Sequence, residues 1–430
     1  MKTGMRGLLP QSIWIALSII LLARFVFGQI AITDAQPPIP KPDALAQPRS
    51  PGQAGFPVNQ TRAAIPPDNP QTPEKVALGE KLFFDGRLSA DGTVACASCH
   101  NPDLAFTDRR PTSVGIRGRV GHRNAPTLLN VLFNQAEFWD GRAPTLEEQA
   151  SLSITNSVEM GQPSMDAAVA SIATIDDYKK AFYRVFGRPP SGPNLLRAIA
   201  AYERTLYSFN APFDHFLAGD KNAISDSAKR GWALFNGQAS CNRCHAITID
   251  QPNFVNFTDN DFHDTGIGIV RYKVVPLARR AEQLVDSGDK GAIDRAAIQT
   301  DMSSLGRFLI TRQEIDIASF KTPGLRNVLV TAPYFHDGSQ ETLWDVMDHY
   351  NKGGGPHDPF IDEAIQPLAL REQDIDDLVA FLASLTSPEY AEQGAKELER
   401  QRALSKISRP LRDTVRAFGP KPSIPPMSSP

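Results

Sequence analysis

The sequence predicts a mainly α-helical protein built as two duplicated halves with long irregular loops. Capped helix starts recur along the chain, no alternating apolar and polar run is long enough to demand a sheet, and one helix-plus-cysteine pattern occurs twice. Thr72-Pro73-Glu74 supplies an N-cap, a proline at the first helical turn and an early acid, ahead of periodic Val76, Leu78, Leu82 and Phe83. Asp226 and Ser227 precede Ala228, Trp232, Leu234 and Phe235, and Gly237 is placed to stop that helix. Gly79-x-x-Leu82-Phe83 matches Gly231-x-x-Leu234-Phe235. Downstream of each, Ile199, Tyr202 and Leu206 fall where Leu378, Phe381 and Leu385 fall, so an internal duplication accounts for both halves.

The flanks read differently. Lys2 and Arg6, the apolar run Ile13 to Ala23, Arg24 and Gly28 have the layout of a secretory signal over 1–28. The run is shorter than the roughly 20 residues that span a bilayer, although continuation through Phe25-Val26-Phe27 keeps an uncleaved membrane anchor as the alternative. Residues 29–71 are rich in proline and poor in large apolar residues, the composition of a disordered linker. A similar tail is expected over 401–430. The folded part then divides into 72–225 and 226–400.

Within 430 residues, 45 Lys+Arg against 48 Asp+Glu give a formal charge of −3, so there is no basic field to hold nucleic acid. Only 4 cysteines are present, too few for a disulfide scaffold. All four lie in Cys96-Ala-Ser-Cys99-His100 and Cys241-Asn-Arg-Cys244-His245. In this pattern the two thiols add to the vinyl groups of one haem and the adjacent His reaches the iron. A zinc knuckle or a redox dithiol also uses Cys-x-x-Cys, but neither needs the following His, and the motif occurs twice. Two covalently bound haem c groups are therefore expected, in an exported protein.

Around the first motif stand LGEKLFFDGRLSADGTVACASCHNPDLAFTD, Gly121-His-Arg-Asn-Ala-Pro-Thr127, Phe138-Trp-Asp-Gly-Arg142 and Asn156-Ser-Val-Glu-Met160. The second half has Phe262-His-Asp-Thr-Gly266, Phe320-Lys-Thr-Pro-Gly-Leu-Arg-Asn327 and Thr331-Ala-Pro-Tyr-Phe-His-Asp-Gly338. With these motifs, over about 65–400, the chain resembles the bacterial di-haem cytochrome c peroxidase and MauG family. The resemblance implies two cytochrome c-like haem domains, with a peroxidatic haem in the N-terminal one and an electron-transfer haem in the C-terminal one. It also implies a periplasmic peroxidase that reduces hydrogen peroxide with electrons from a small donor protein, a cytochrome c or a cupredoxin, and it admits a homodimer.

The family's distal acid falls on Glu159, whose carboxyl would take a proton from one peroxide oxygen and return it to the other. On residue type alone Glu159 reads as an ordinary surface acid. Gln149 falls on a second distal-pocket position, and Trp139 on the tryptophan between the haems, where an indole relays electrons or simply fills the core. Asn124, Thr331 and Pro333 match an inter-domain calcium site of oxygen ligands. His122 stands just after the stretch where reductively activated relatives carry a plugging His; it either plays that part or bonds locally beside Arg123. At the second haem, the resemblance places Tyr350 as distal ligand where the peroxidase branch has Met, the MauG-type choice, with Met347 and His349 as neighbouring competitors. The chain has Ala239 where MauG has a surface-route Trp. A MauG-type oxidase of a protein or small molecule, and a non-catalytic electron carrier, are the alternatives. The stretch 271–302 carries no interpretable motif.

Overall fold

Helix Pro73–Phe83 crosses helix Gly192–Glu203, and helix Asp226–Asn236 crosses Glu372–Ala383 in the same way. Each pair crosses at a glycine. A Cβ on Gly79 would lie 1.9 Å from the Ala198 carbonyl oxygen, and one on Gly231 would lie 1.9 Å from the Asp377 carbonyl oxygen. The duplicated glycine thus lets two backbones touch, which is why the pattern repeats before both cysteine motifs. Gly79→Ala and Gly231→Ala should each lower stability by about 1–3 kcal/mol through overpacking, read as a fall in melting temperature. The first start behaves as its sequence predicts, with Thr72 Oγ1 accepting from the Lys75 amide at 3.3 Å, whereas the second begins at Asp226 and is capped by Ser225, whose Oγ accepts from the Ala228 amide at 3.1 Å. The paired positions Ile199, Tyr202, Leu206 and Leu378, Phe381, Leu385 are all buried.

The computed structural model describes residues 38–56, 58–245, 256–268, 271–355 and 358–408. The expected signal at 1–28 lies outside them, as does 409–430. Among the described residues the only sheet is the two-stranded pairing of Phe262–His263 with Phe320–Lys321. No helix there is long and apolar enough to cross a membrane. The mainly α, cytochrome c-like class holds, with loops closed by short 3-10 turns.

Three boundaries differ from expectation. The linker predicted at 29–71 is, from residue 38 onward, a packed strap that includes helix Val58–Ala64. Phe56 sits 4.6 Å from the Phe209 ring and 5.6 Å from the Phe133 ring, and Tyr202 donates its hydroxyl proton to the Ala46 carbonyl at 2.8 Å. The strap needs no core of its own because it lends a few apolar side chains to the core of the first half. At the other end, helix Ala391–Ser408 runs past 400. Buried Gln401 there accepts from the Leu343 amide at 2.8 Å and donates to the Leu329 carbonyl and the Tyr334 hydroxyl. The change of core comes before 226, since Phe213 packs with Phe235, Phe257 and Phe381 of the second half.

The described residues fall in one compact unit, so the halves share an interface. Ser208 and Ser387 hydroxyls meet at 2.6 Å, and Asn327 Nδ2 donates to Ser208 Oγ at 2.8 Å.

Candidate active site

In the first half, Cys96–Cys99 is a single helical turn, tied by the Ala95 amide donating to Ser98 Oγ at 3.1 Å. His100 follows it. The chain then doubles back through the 3-10 turn Pro102–Leu104 and two left-handed residues, Ala105 and Phe106, which brings the Phe106 carbonyl to His100 Nδ1 at 3.0 Å. That bond fixes the ring and leaves Nε2 for a metal. The second half repeats the device with His245 Nδ1 on the Phe257 carbonyl at 2.9 Å, where Phe257 is also left-handed. Burial pushes both imidazoles below their usual range, favouring the neutral form that ligates. None of the four cysteines forms a disulfide.

Haem fits this donor set. A cavity of about 290 Å³ that the first half helps to wall is lined on the second-half side by Cys241, Cys244, His245, Tyr350, Leu378 and Leu382. Between the halves Arg109 keeps Nε and Nη2 buried without a partner among the described residues, a fork suited to a carboxylate such as a haem propionate.

Beyond the first Cys-x-x-Cys-His, helix Leu146–Thr155 carries Gln149 and Ser153 one turn apart, with Gln149 Nε2 donating to Ser153 Oγ at 3.0 Å. Ser153 in turn donates to the Glu159 carboxyl. The two expected distal residues therefore meet through a serine that the motif comparison passed over, although its i+4 spacing from Gln149 was visible. Burial, together with the negative charge of Asp294, pushes Glu159 up to about 7, against the opposing effects of the Ser153 bond and Arg142. His122 is exposed, and its amide donates to the Ile298 carbonyl at 2.9 Å.

Tyr350 and Met347 both face the second-half cavity from helix Leu343–Asn351, whereas His349 turns away and bonds the Thr265 carbonyl through Nε2 at 2.7 Å. Burial raises the Tyr350 phenol above its usual range. The same cavity is walled by Trp139, Asn124, Thr331 and Pro333. Trp139 Nε1 donates to the Asn124 carbonyl at 2.9 Å, and Asn124 Nδ2 donates to the Arg110 carbonyl at 2.8 Å, which leaves Asn124 Oδ1 as its remaining acceptor. Lys321 and Glu137, unnoticed in the sequence, are buried near each other on this wall, and burial lowers the first and raises the second.

Residues 73–222 match the family model of the di-haem cytochrome c peroxidases. The methylamine utilization protein MauG of Methylorubrum extorquens is 38% identical over 322 residues, covering 74% of this chain and 80% of that protein. The cytochrome-c peroxidase IdrP1 of Pseudomonas sp. (strain SCT) is 37% identical over 333 residues, 76% of this chain and 84% of that one. The solved structure of a MauG-like protein associated with microbial copper homeostasis superposes with a TM-score of 0.63 at 31% identity, covering 75% of this chain and 92% of that chain. With both Cys-x-x-Cys-His turns, the duplicated helix pairs and these relatives in agreement, the chain belongs to the di-haem cytochrome c peroxidase and MauG family.

Proposed function

We propose that this di-haem peroxidase reduces hydrogen peroxide to two waters, taking up two electrons and two protons, with the distal chemistry on the His100 side. Bound haem supplies the iron redox chemistry. Glu159 takes the proton of the incoming peroxide and hands it to the departing oxygen, and Gln149 and Ser153 hold its carboxyl in place. The observation that carries the reading is the buried Glu159 carboxyl held by Ser153, which Gln149 holds in turn, with burial and Asp294 raising it toward the range where it both takes and gives a proton. Cys96, Cys99, Cys241 and Cys244 would attach the two haems, His100 and His245 would each hold one iron, and Tyr350 would hold the second iron as well. Trp139 relays electrons between the halves. A calcium ion takes Asn124, Thr331 and Pro333 through oxygen atoms. The protein works in the periplasm with a small cytochrome c or cupredoxin as donor.

Tyr350 favours a second reading, a MauG-type oxidase. Against it, Ala239 is buried in the cavity wall at the position of the MauG surface tryptophan.

Cys96→Ala and Cys244→Ala should each leave one haem attached, counted by pyridine haemochrome and haem-stained denaturing gels. Two haems surviving either change would refute the attachment. The resting ferric spectrum tests the reading as a whole, because an enzyme shows one high-spin iron whereas a carrier is wholly low-spin.

A further inference from the structure

The stretch 271–302 forms helices Arg271–Asp286 and Lys290–Gln299 and leads into the 3-10 turn Asp301–Leu305. Although it lies in the second half of the sequence, it packs against the acid loop of the first. Gln299 Nε2 donates to Ser157 Oγ at 3.0 Å, and the Ile298 carbonyl holds the His122 amide.

From the second of these helices Asp294 is buried against the first half. Its Oδ1 accepts from Arg142 Nε at 2.9 Å and its Oδ2 from Asn156 Nδ2 at 2.5 Å. Asn156 opens the loop to Glu159, with its Oδ1 taking the Val158 amide at 2.9 Å. Arg142 is also held by Asp140, at 3.0 and 3.1 Å through Nη1. Arg142 is a nearby cation that could neutralise Glu159, and two other carboxylates already engage it.

We propose that Asp294 is a positioning residue for the peroxide site. It fixes the Asn156–Glu159 loop through the Asn156 amide and, with Asp140, takes up most of the charge of Arg142, so that Arg142 only weakly neutralises Glu159 and the carboxyl works as a proton shuttle. This rests on the reading of Glu159 as the shuttle. The groups acting on Glu159 are Asp294 from its helix, Arg142 from the loop ahead of helix Leu146–Thr155 and Ser153 from that helix; Cys96 and Cys99 of the haem turn also face it, as neutral sulfurs once haem is attached. Removing the Asp294 charge withdraws a repulsion and leaves Arg142 with Asp140 as its one remaining carboxylate partner, and both effects favour the Glu159 carboxylate.

The test is an infrared pH titration of the protein carrying both haems, following the protonated-carboxyl band that Glu159→Gln abolishes. Native protein should titrate near 7. Asp294→Asn should move the midpoint acidward by about 1–3 units, the usual effect of an opposite charge brought close, and the rising limb of the stopped-flow peroxide reaction should move with it. Asp294→Glu should largely restore both. A purely structural role would lower the melting temperature and leave the midpoint in place, so an unmoved midpoint in folded Asp294→Asn overturns the proposal. Should that variant fail to fold, Asp294→Ser removes the same charge with room for a water and is read in the same way. Native peroxide cleavage by Glu159→Gln would instead remove Glu159 from the chemistry, while the infrared midpoint would still decide whether Asp294 controls it.

Discussion

Glu159→Gln should slow peroxide cleavage by about 10²–10⁴-fold, the span that positioned proton transfer contributes, with two haems still attached. The amide keeps the shape of the side chain and its bond to Ser153, but it cannot accept the peroxide proton. Stopped-flow mixing with peroxide measures the step directly, and an unchanged rate would return Glu159 to a structural role. The substitution also has a stability signature whose sign follows from linkage. Because the folded state raises Glu159 from its ordinary 4.5 to about 7, it binds more protons than the unfolded chain between those values. The native protein therefore loses stability as pH rises through that window. The Gln variant carries no such dependence, so its melting temperature should exceed the native one at pH values above about 7 and approach it near pH 4.

Tyr350→Met should raise the potential of the second haem by about 0.2–0.4 V, a large part of the roughly 0.8 V span that axial ligands set. A phenolate oxygen is a hard donor that favours oxidised iron, whereas thioether sulfur favours the reduced state. Burial raises the Tyr350 phenol above its usual range, so ligation as a phenolate requires the charge of the ferric ion to displace that proton. Tyr350→Phe should leave the position open and give a second high-spin signal. Spectroelectrochemistry of the three proteins separates these outcomes. The competitor is Met347, which shares the cavity wall. A thioether-to-iron charge-transfer band in native ferric protein would identify Met347 as the ligand and leave Tyr350 as a cavity residue.

The parts of this protein written in local sequence were legible there. The Cys-x-x-Cys-His turns are contiguous, because two vinyl groups and one iron are reached only from neighbouring residues. The helix starts at Thr72 and Ser225 obey capping chemistry confined to one turn. The repeated glycines announce two close helix crossings, since each must sit at a fixed distance before its motif. The family motifs pointed to Glu159 and Gln149, which meet through Ser153, and to Tyr350, which lines the cavity. Tertiary structure decided what depends on distant partners. A proline-rich segment became a strap because Phe56 found Phe133, Tyr207 and Phe209 to pack against, and no composition rule registers a neighbour more than seventy residues away. Tyr350 and Met347 were told apart from His349 only by the direction in which one helix faces its cavity. Asp294 had no local signal at all. Its meaning lies in Arg142 and Asn156, 152 and 138 residues earlier, and charges act through space rather than along the chain.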